Sequence, residues 1–146
     1  MEKPRTATVH GATTALTQTI TVRQHTLTAD EPLDVGGKDQ GPDPYELLLS
    51  ALGACTSMTV SLYATRKGWP LQSVTVSLRH EKLPGADGKP KDHIHREVTL
   101  TGPLDEAQRG RLLDIANRCP VHQTLTRGPL DVETVLASLP EAASAQ

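Results

Sequence analysis

Cys55 and Cys119 are the two residues of this sequence whose chemistry is least explained by packing alone. Cys119 directly precedes Pro120, and a proline at the first helical position would make Cys119 the N-cap of a short helix. The free N–H groups and the dipole at that helix end, together with the adjacent Arg118, favour a thiolate at Cys119. Cys55 lies inside an apolar helical stretch, where burial disfavours the charged form unless a cation or donor is near.

The two thiols could form a redox pair. If the fold brings the sulfurs together, an oxidant could convert one thiolate to a sulfenic acid, and the other thiol could condense on it to form a disulfide. A separation of 64 positions, from 55 to 119, neither requires nor forbids this contact. The alternative is that both cysteines are small buried hydrophobic residues without reactivity.

Two further polar residues are candidates near the thiols. Glu46 precedes Cys55 on the same helix, but nine positions correspond to about 900° of rotation and about 13.5 Å of rise. It therefore faces away from Cys55 of its own chain and could reach only a partner's Cys55 across a two-fold axis, or it is simply a helix-capping acid. His122, three positions after Cys119, could orient or deprotonate that thiol, or be an ordinary surface residue.

Three histidines invite a metal-site interpretation, because His93 and His95 form an H-x-H motif opposite His80 in a predicted hairpin. Side chains alternate faces along a strand. His80 shares the even numbering of the apolar residues, whereas His93 and His95 are odd-numbered, so the three should occupy opposite faces. The sequence therefore predicts no metal site.

Composition limits the classes of protein. The chain has 146 residues, which predicts one domain over 1–139 followed by a frayed tail over 140–146. A net charge of −2 without a basic stripe disfavours nucleic acid as a partner.

We expect no membrane span, because no run of about 18 apolar residues is present, and we also expect no secretion signal. The expected location is therefore the cytoplasm. In that reducing compartment a permanent structural disulfide is not expected. A core without Phe suggests an oligomer.

The pattern of apolar residues predicts an α+β fold. A small antiparallel meander turns at Arg23 and Gln24, and a long loop spans 30–43. Asp43, Pro44 and Glu46 predict the start of a helix that ends near Gly68, with an inward stripe. The predicted stripe consists of Leu48, Leu52, Cys55, Met58 or Thr59, and Leu62.

The second half of the sequence predicts a hairpin and further helices. Two runs with a period of two residues flank the turn-rich LPGADGKPKD. A second helix begins after Asp105, where Gln108 completes a capping box, and ends near Arg118. A short helix follows at Pro120. Leu130, Val132 and Val135 are predicted to close the chain as a strand or a loose helix. Together these elements predict a sheet wrapped around the first long helix.

The stretches GPDPYELLLSALGACTSMTV and ANRCPVHQTL resemble the OsmC/Ohr family of thiol-dependent hydroperoxide reductases. The resemblance extends through DEPLDVGG, YATRKGWPLQSVTVSLRH and REVTLTGPLDEAQRGRLLDIANRCPVH, and covers about residues 16–136. It implies an antiparallel sheet wrapped around a long central helix, an intertwined homodimer with sites at the subunit interface, and a cytoplasmic setting. It also implies that Cys55 attacks the peroxide and Cys119 resolves the product as a disulfide.

The sequence departs from the family pattern at the groups that assist the attacking thiol. Well-studied members use an Arg from the N-terminal strands and a Glu directly after the helix-starting Pro. Here Tyr45 follows Pro44, Glu46 comes one position later, and no Arg lies within 11–14. Arg23 and Arg96 are the nearest substitutes for the cation.

The leading hypothesis is a cofactor-free thiol peroxidase that reduces organic hydroperoxides and is restored by an external dithiol. Its candidate residues are Cys55, Cys119, Glu46 and Arg23. The rival hypothesis is a non-catalytic protein of the same fold that binds a small molecule or has a structural role. The missing N-terminal Arg motivates the rival.

Overall fold

Two antiparallel sheets and three α-helices form the computed structural model, which describes residues 2–138. The predicted tail over 140–146 lies outside the described residues. The elements follow one another as strands, a long helix, a hairpin and two shorter helices, which is the α+β order that the sequence predicts.

The N-terminal sheet consists of β1 (Thr8–His10), β2 (Gln18–Val22) and β3 (His25–Ala29), paired in that order. Ile20 of β2 pairs with Val9 on one side and Leu27 on the other, so one face of the sheet carries apolar side chains. Arg23 and Gln24 form the turn between β2 and β3, which confirms the predicted meander. This sheet makes few contacts with the rest of the chain.

Asp30 organises the loop that leads from this sheet to the first helix. The carboxylate is 2% exposed and accepts hydrogen bonds from the Thr17 hydroxyl at 2.8 Å and from the N–H groups of Glu31 and Gln40 at 2.8 and 3.2 Å. Burial would raise the pKa of Asp30, but these hydrogen bonds outweigh it and hold the pKa below its usual value. The loop is therefore fixed around one ionised side chain.

Helix α1 spans Pro44–Lys67 and has the predicted ends. Asp43 and Glu46 form a reciprocal capping box at its start, and Gly68 ends it in the left-handed conformation, with φ of 69°. By length and composition alone α1 could cross a membrane. In this fold it packs against the hairpin and both shorter helices, as the core helix of a globular domain does.

The buried stripe of α1 differs from the predicted one. Leu52 is buried as expected, but Met58 and Leu62 are exposed, and Cys55 is only partly buried. The side chains that face the core recur every four residues instead: Leu52, Thr56, Val60 and Ala64. The helix is apolar on more than one face, so its sequence did not specify which face the hairpin and the shorter helices would cover.

The hairpin joins β4 (Ser73–Pro84) and β5 (Pro90–Thr101). Its even-numbered residues over 74–80 and 94–100 are partly buried and face α1, as the approach of Leu78 to Gly53 shows. His93 and His95 are exposed on the outer face, whereas His80 lies on the inner face. The predicted alternation is thus confirmed. Among residues 2–138 no group of three His, Cys, Asp or Glu side chains could hold a metal ion.

Helices α2 (Glu106–Ala116) and α3 (Pro120–Arg127) complete the core. Asp105 and Gln108 form the predicted capping box of α2, and Cys119 is the N-cap of α3. The main apolar cluster lies between α1, α2 and the hairpin and contains Val60, Ala64, Leu104, Leu112, Ile115 and Ala116.

The predicted final strand or helix is wrong for the described part of the C-terminal segment, residues 128–138. This segment is exposed and has no regular structure. Leu130, Val132 and Val135 remain 66%, 78% and 78% exposed. A strand needs a neighbouring edge and an amphipathic helix needs a surface to cover, and within residues 2–138 this segment lies against neither.

Candidate active site

The two cysteines meet at the N-terminus of α3. Cys55 comes from the middle of α1, and Cys119 caps α3 and is fully buried. Both are free thiols, and Cys119 is close enough to Cys55 to raise the pKa of the Cys55 thiol. The Cys119 sulfur accepts the N–H of His122 at 3.3 Å. The fold therefore joins the two residues that the sequence leaves 64 positions apart.

Cys55 is the more accessible thiol, and its pKa is raised above the usual value. Burial is the largest cause that raises its pKa, and the neighbouring Cys119 raises it further. The backbone N–H of Val121, at the free N-terminal end of α3, and the Thr59 hydroxyl act in the opposite direction. Because the net pKa of Cys55 is raised, its thiolate needs support from a nearby cation.

Arg96 supplies a cation beside the thiols. This residue is on the inner face of β5, and its Nη1 donates to the Thr56 hydroxyl at 2.9 Å. The same hydroxyl donates to the Leu52 carbonyl at 2.7 Å and lies 3.8 Å from the Cys119 sulfur. A single fully buried hydroxyl thus connects the guanidinium to Cys119.

The other end of the Arg96 guanidinium contacts two neutral acceptors. Its Nη2 donates to Asn117 Oδ1 at 2.8 Å and lies 3.2 Å from His122 Nδ1. No carboxylate forms an ion pair with Arg96 among residues 2–138. The positive charge is therefore held in place by neutral groups and is not neutralised by them.

A cavity of about 600 Å³ opens beside this network. That volume is within the range of about 300–1,000 Å³ typical of small-molecule sites. Its polar wall is formed by Arg96, Asn117 and His122, and its apolar wall by Leu48, Leu52, Ile94 and Leu125. Leu52, three positions before Cys55 on α1, and His122, three positions after Cys119, line the cavity, whereas the two cysteines themselves do not.

The far edge of the cavity is formed by an aromatic stack and an ion pair. Tyr45 stacks on His80 with ring centroids 4.5 Å apart and planes 7° apart. His80 Nε2 and Lys82 Nζ lie 2.8 and 2.7 Å from the same Asp92 oxygen. Tyr45 stands where the family pattern has a glutamate, so the cavity has an aromatic ring at that position.

Glu46 and Arg23 lie away from the thiols. The Glu46 carboxylate accepts the Asp43 N–H at 2.8 Å and faces a separate groove between α1 and β4. Arg23 lies in the exposed turn between β2 and β3, with φ of 54°. Within the described chain no hydrogen bond or ion pair joins either residue to Cys55 or Cys119. Their catalytic roles stay predictions, which in this arrangement depend on a second subunit.

Sequence reasoning missed three residues of the site, namely Thr56, Asn117 and Tyr45. Thr56 was within reach of sequence analysis, because it directly follows Cys55 and lies between Leu52 and Val60 at the spacing of one helix turn. Asn117 and Tyr45 carry no comparable sequence pattern, since their contacts are with residues far along the chain.

Comparison with known proteins agrees with this fold. A family model described as OsmC-like protein matches residues 37–135, which include α1, the hairpin, both shorter helices and both cysteines. The chain belongs to the OsmC/Ohr family. Among curated proteins no sequence is significantly similar to this OsmC-like protein.

Solved structures share the fold of this OsmC-like protein. An OsmC-like protein from Mycoplasma pneumoniae superposes with a TM-score of 0.71 at 25% identity, over 86% of this chain and 89% of the other. An organic hydroperoxide resistance protein OsmC from Legionella pneumophila gives 0.65 at 17% identity, over 85% and 90%. An organic hydroperoxide resistance protein from Elizabethkingia anophelis gives 0.67 at 17% identity, over 88% and 91%.

Proposed function

We propose that this OsmC-like protein is a cysteine-based peroxidase that reduces organic hydroperoxides and is recycled by an external dithiol. The observation that carries the proposal is the meeting of Cys55 and Cys119 beside Arg96 and the cavity. The names of the neighbours from Legionella pneumophila and Elizabethkingia anophelis, both organic hydroperoxide resistance proteins, support the same class of substrate.

The proposed reaction begins at the more accessible thiol. Cys55, as the thiolate, attacks the terminal oxygen of the hydroperoxide; the S–O bond forms, the O–O bond breaks, and the alkoxide leaves and takes a proton to become the alcohol. Cys55 is then a sulfenic acid. Cys119 attacks that sulfur, an S–S bond forms, and the hydroxide released becomes water. An external dithiol returns both thiols and is itself oxidised to a disulfide.

Arg96 is proposed to make this chemistry possible at neutral pH. Burial raises the pKa of Cys55, so only a small fraction of the thiol ionises unless the Cys55 thiolate is stabilised. Arg96 has no carboxylate partner within residues 2–138 and lies one hydroxyl away from the Cys119 sulfur, and its positive charge is proposed to favour the thiolate of the neighbouring Cys55. Arg96 therefore takes the part that the family pattern gives to an N-terminal arginine.

The proposal includes a homodimer in the cytoplasm. Within one chain Val9, Leu27, Met58 and Leu62 are 57%, 44%, 71% and 52% exposed, and the N-terminal sheet packs against little else. A second copy would cover these faces and could bring Glu46 or Arg23 to the partner's thiols. Recycling of a disulfide by cellular dithiols fits a reducing compartment. Sedimentation analysis tests the homodimer, and cell fractionation tests the cytoplasmic location.

Turnover measurements test the peroxidase proposal. Wild type should reduce an organic hydroperoxide in the presence of a dithiol, and Cys55→Ser should reduce it no faster than buffer. Cys119→Ser should form a sulfenic acid at Cys55, detectable by mass spectrometry after trapping, without a disulfide. Wild type no faster than buffer, or peroxide treatment that leaves both thiols free, would refute the enzymatic role.

A matched pair of arginine variants tests the cation. Arg96→Gln removes the guanidinium beside the thiols, and Arg79→Gln removes one from the outer face of β4, where it pairs with Glu81 at 3.5 Å. Arg96→Gln should move the pH dependence of the peroxide reaction to higher pH, because the Cys55 thiolate loses its stabilising charge. Arg79→Gln should leave the profile in place. Identical profiles for both variants would remove Arg96 from the mechanism.

The rival is a non-catalytic protein that binds a small molecule in the same cavity. The raised pKa of Cys55 and the absence of an arginine within 11–14 favour it. Under this alternative the cavity binds ligands equally well in wild type and Cys55→Ser, and no disulfide forms on exposure to peroxide.

A further inference from the structure

His122 is the one side chain of the polar wall whose protonation the geometry determines. Its Nδ1 lies 3.2 Å from Nη2 of Arg96. A guanidinium has only donors, so Nδ1 must be the acceptor and cannot carry a proton. The ring is therefore neutral, with its proton on Nε2.

The Nε2–H of His122 is a donor that the protein itself leaves free. Within residues 2–138 this nitrogen has no hydrogen-bond partner, and the residue is partly buried in the cavity wall. Burial lowers the pKa of His122, and Arg96 and Arg127 lower it further. The same N–H donor is thus present across the neutral pH range.

We propose that His122 Nε2–H, together with Arg96, donates a hydrogen bond to the oxygen that leaves when the O–O bond breaks. This inference rests on the peroxidase function proposed above. As Cys55 takes the terminal oxygen, negative charge develops on the alkoxide oxygen, and two donors fixed beside the cavity stabilise it without reorganisation. The alkoxide then takes its proton from solvent.

His122 acts here as a donor and not as a proton source. A neutral imidazole releases its Nε2 proton only in strong base, so the proton stays on the ring throughout the step. The Arg96 contact polarises the ring and holds its tautomer, which makes Arg96 and His122 one unit. The rate increase that the His122 hydrogen bond provides should be greatest when the leaving oxygen is most basic, because that oxygen carries the most negative charge.

Two oxidants with different leaving groups test the inference. tert-Butyl hydroperoxide releases a strongly basic alkoxide, and peracetic acid releases a weakly basic carboxylate. For His122→Leu, the reaction of Cys55 should slow by about 100-fold with tert-butyl hydroperoxide, the cost of removing one such donor, and by only a few-fold with peracetic acid. His122→Gln, which keeps an N–H donor, should recover most of the loss. His95→Leu, on the outer face of β5, serves as the control.

The outcomes separate this inference from the proposed function. Wild type inactive with both oxidants refutes the peroxidase itself. If wild type is active and His122→Leu slows the reaction equally with both oxidants, or with neither, only the donor role of His122 is refuted. Nitrogen NMR of the wild-type imidazole gives a readout that needs no variant: a proton on Nε2 at pH 7 is expected, and a proton on Nδ1 would overturn the inference.

Discussion

Thr56 is the residue through which Cys119 and Arg96 are connected, so its hydroxyl provides the sharpest test of the site. The side chain is fully buried, and its oxygen contacts the Leu52 carbonyl, Arg96 Nη1 and the Cys119 sulfur. Thr56→Val replaces the hydroxyl by a methyl group of similar size. The variant removes these contacts and leaves the packing volume nearly unchanged.

The cost in stability follows from the lost hydrogen bonds. Arg96 loses an acceptor, and a hydrogen bond to a charged group contributes about 1.5–3 kcal/mol. Because Arg96 keeps Asn117 and is only partly buried, water can replace part of the loss. We expect the free energy of unfolding to fall by about 1.5 kcal/mol, which shifts a urea midpoint by about 1 M.

The cost in activity, expressed as a free energy, should be about equal to the cost in stability, because a 10-fold loss of rate corresponds to about 1.4 kcal/mol. Without the hydroxyl, the guanidinium is no longer fixed beside the sulfurs, and a displacement of about 1 Å at a reacting centre can cost up to about 100-fold. We expect the peroxide reaction of Thr56→Val to slow by about 10-fold, since Asn117 and His122 still hold Arg96.

Thr56→Ser is the matched control, because it keeps the hydroxyl and loses only a methyl group. Its unfolding free energy should fall by about 1 kcal/mol, close to the value for Thr56→Val. Urea unfolding at one protein concentration and stopped-flow reaction with peroxide measure the two quantities. If both variants slow the reaction equally, packing and not the hydroxyl matters, and the reasoning is refuted.

Three further predictions concern the core, the loop and the histidine. Leu112→Ala, at a fully buried position between α1 and α2, should lower the free energy of unfolding by about 3 kcal/mol in urea, and a loss below about 1 kcal/mol would contradict the packing described. Asp30→Asn should be less stable than wild type at pH 7. The folded pKa of Asp30 is lowered, so the ionised carboxylate contributes fully to the free energy of unfolding above the unfolded pKa of about 3.9 and loses this contribution as pH falls through the folded pKa. The difference in stability between Asp30→Asn and wild type should therefore become smaller in acid. Thermal unfolding from pH 7 to pH 3 measures this difference, and a difference that stays constant would exclude the linkage. Arg96→Gln should raise the pKa of His122, because it removes a neighbouring cation, and an NMR titration that shows the same shift in Arg79→Gln would count against the specific contact.

The sequence by itself determined the hairpin and the starts of the helices, but not the C-terminal segment. Caps act through residues three positions apart, so Asp43 with Glu46 and Asp105 with Gln108 were sufficient to locate the starts of α1 and α2. The alternation of apolar residues likewise determined which face of the hairpin His80 and His95 would occupy. These features depend on neighbours within a few residues, which the sequence displays directly.

The tertiary structure alone decided which groups meet. Arg96 donates a hydrogen bond to Thr56, which is 40 positions away in the sequence, and no local sequence pattern at either residue predicts this contact. The same holds for the core-facing stripe of α1: a helix with apolar residues on several faces has no preferred side until the hairpin and α2 cover one of them. The charge beside the thiols, and the tautomer of His122 that depends on it, therefore follow from packing between distant segments.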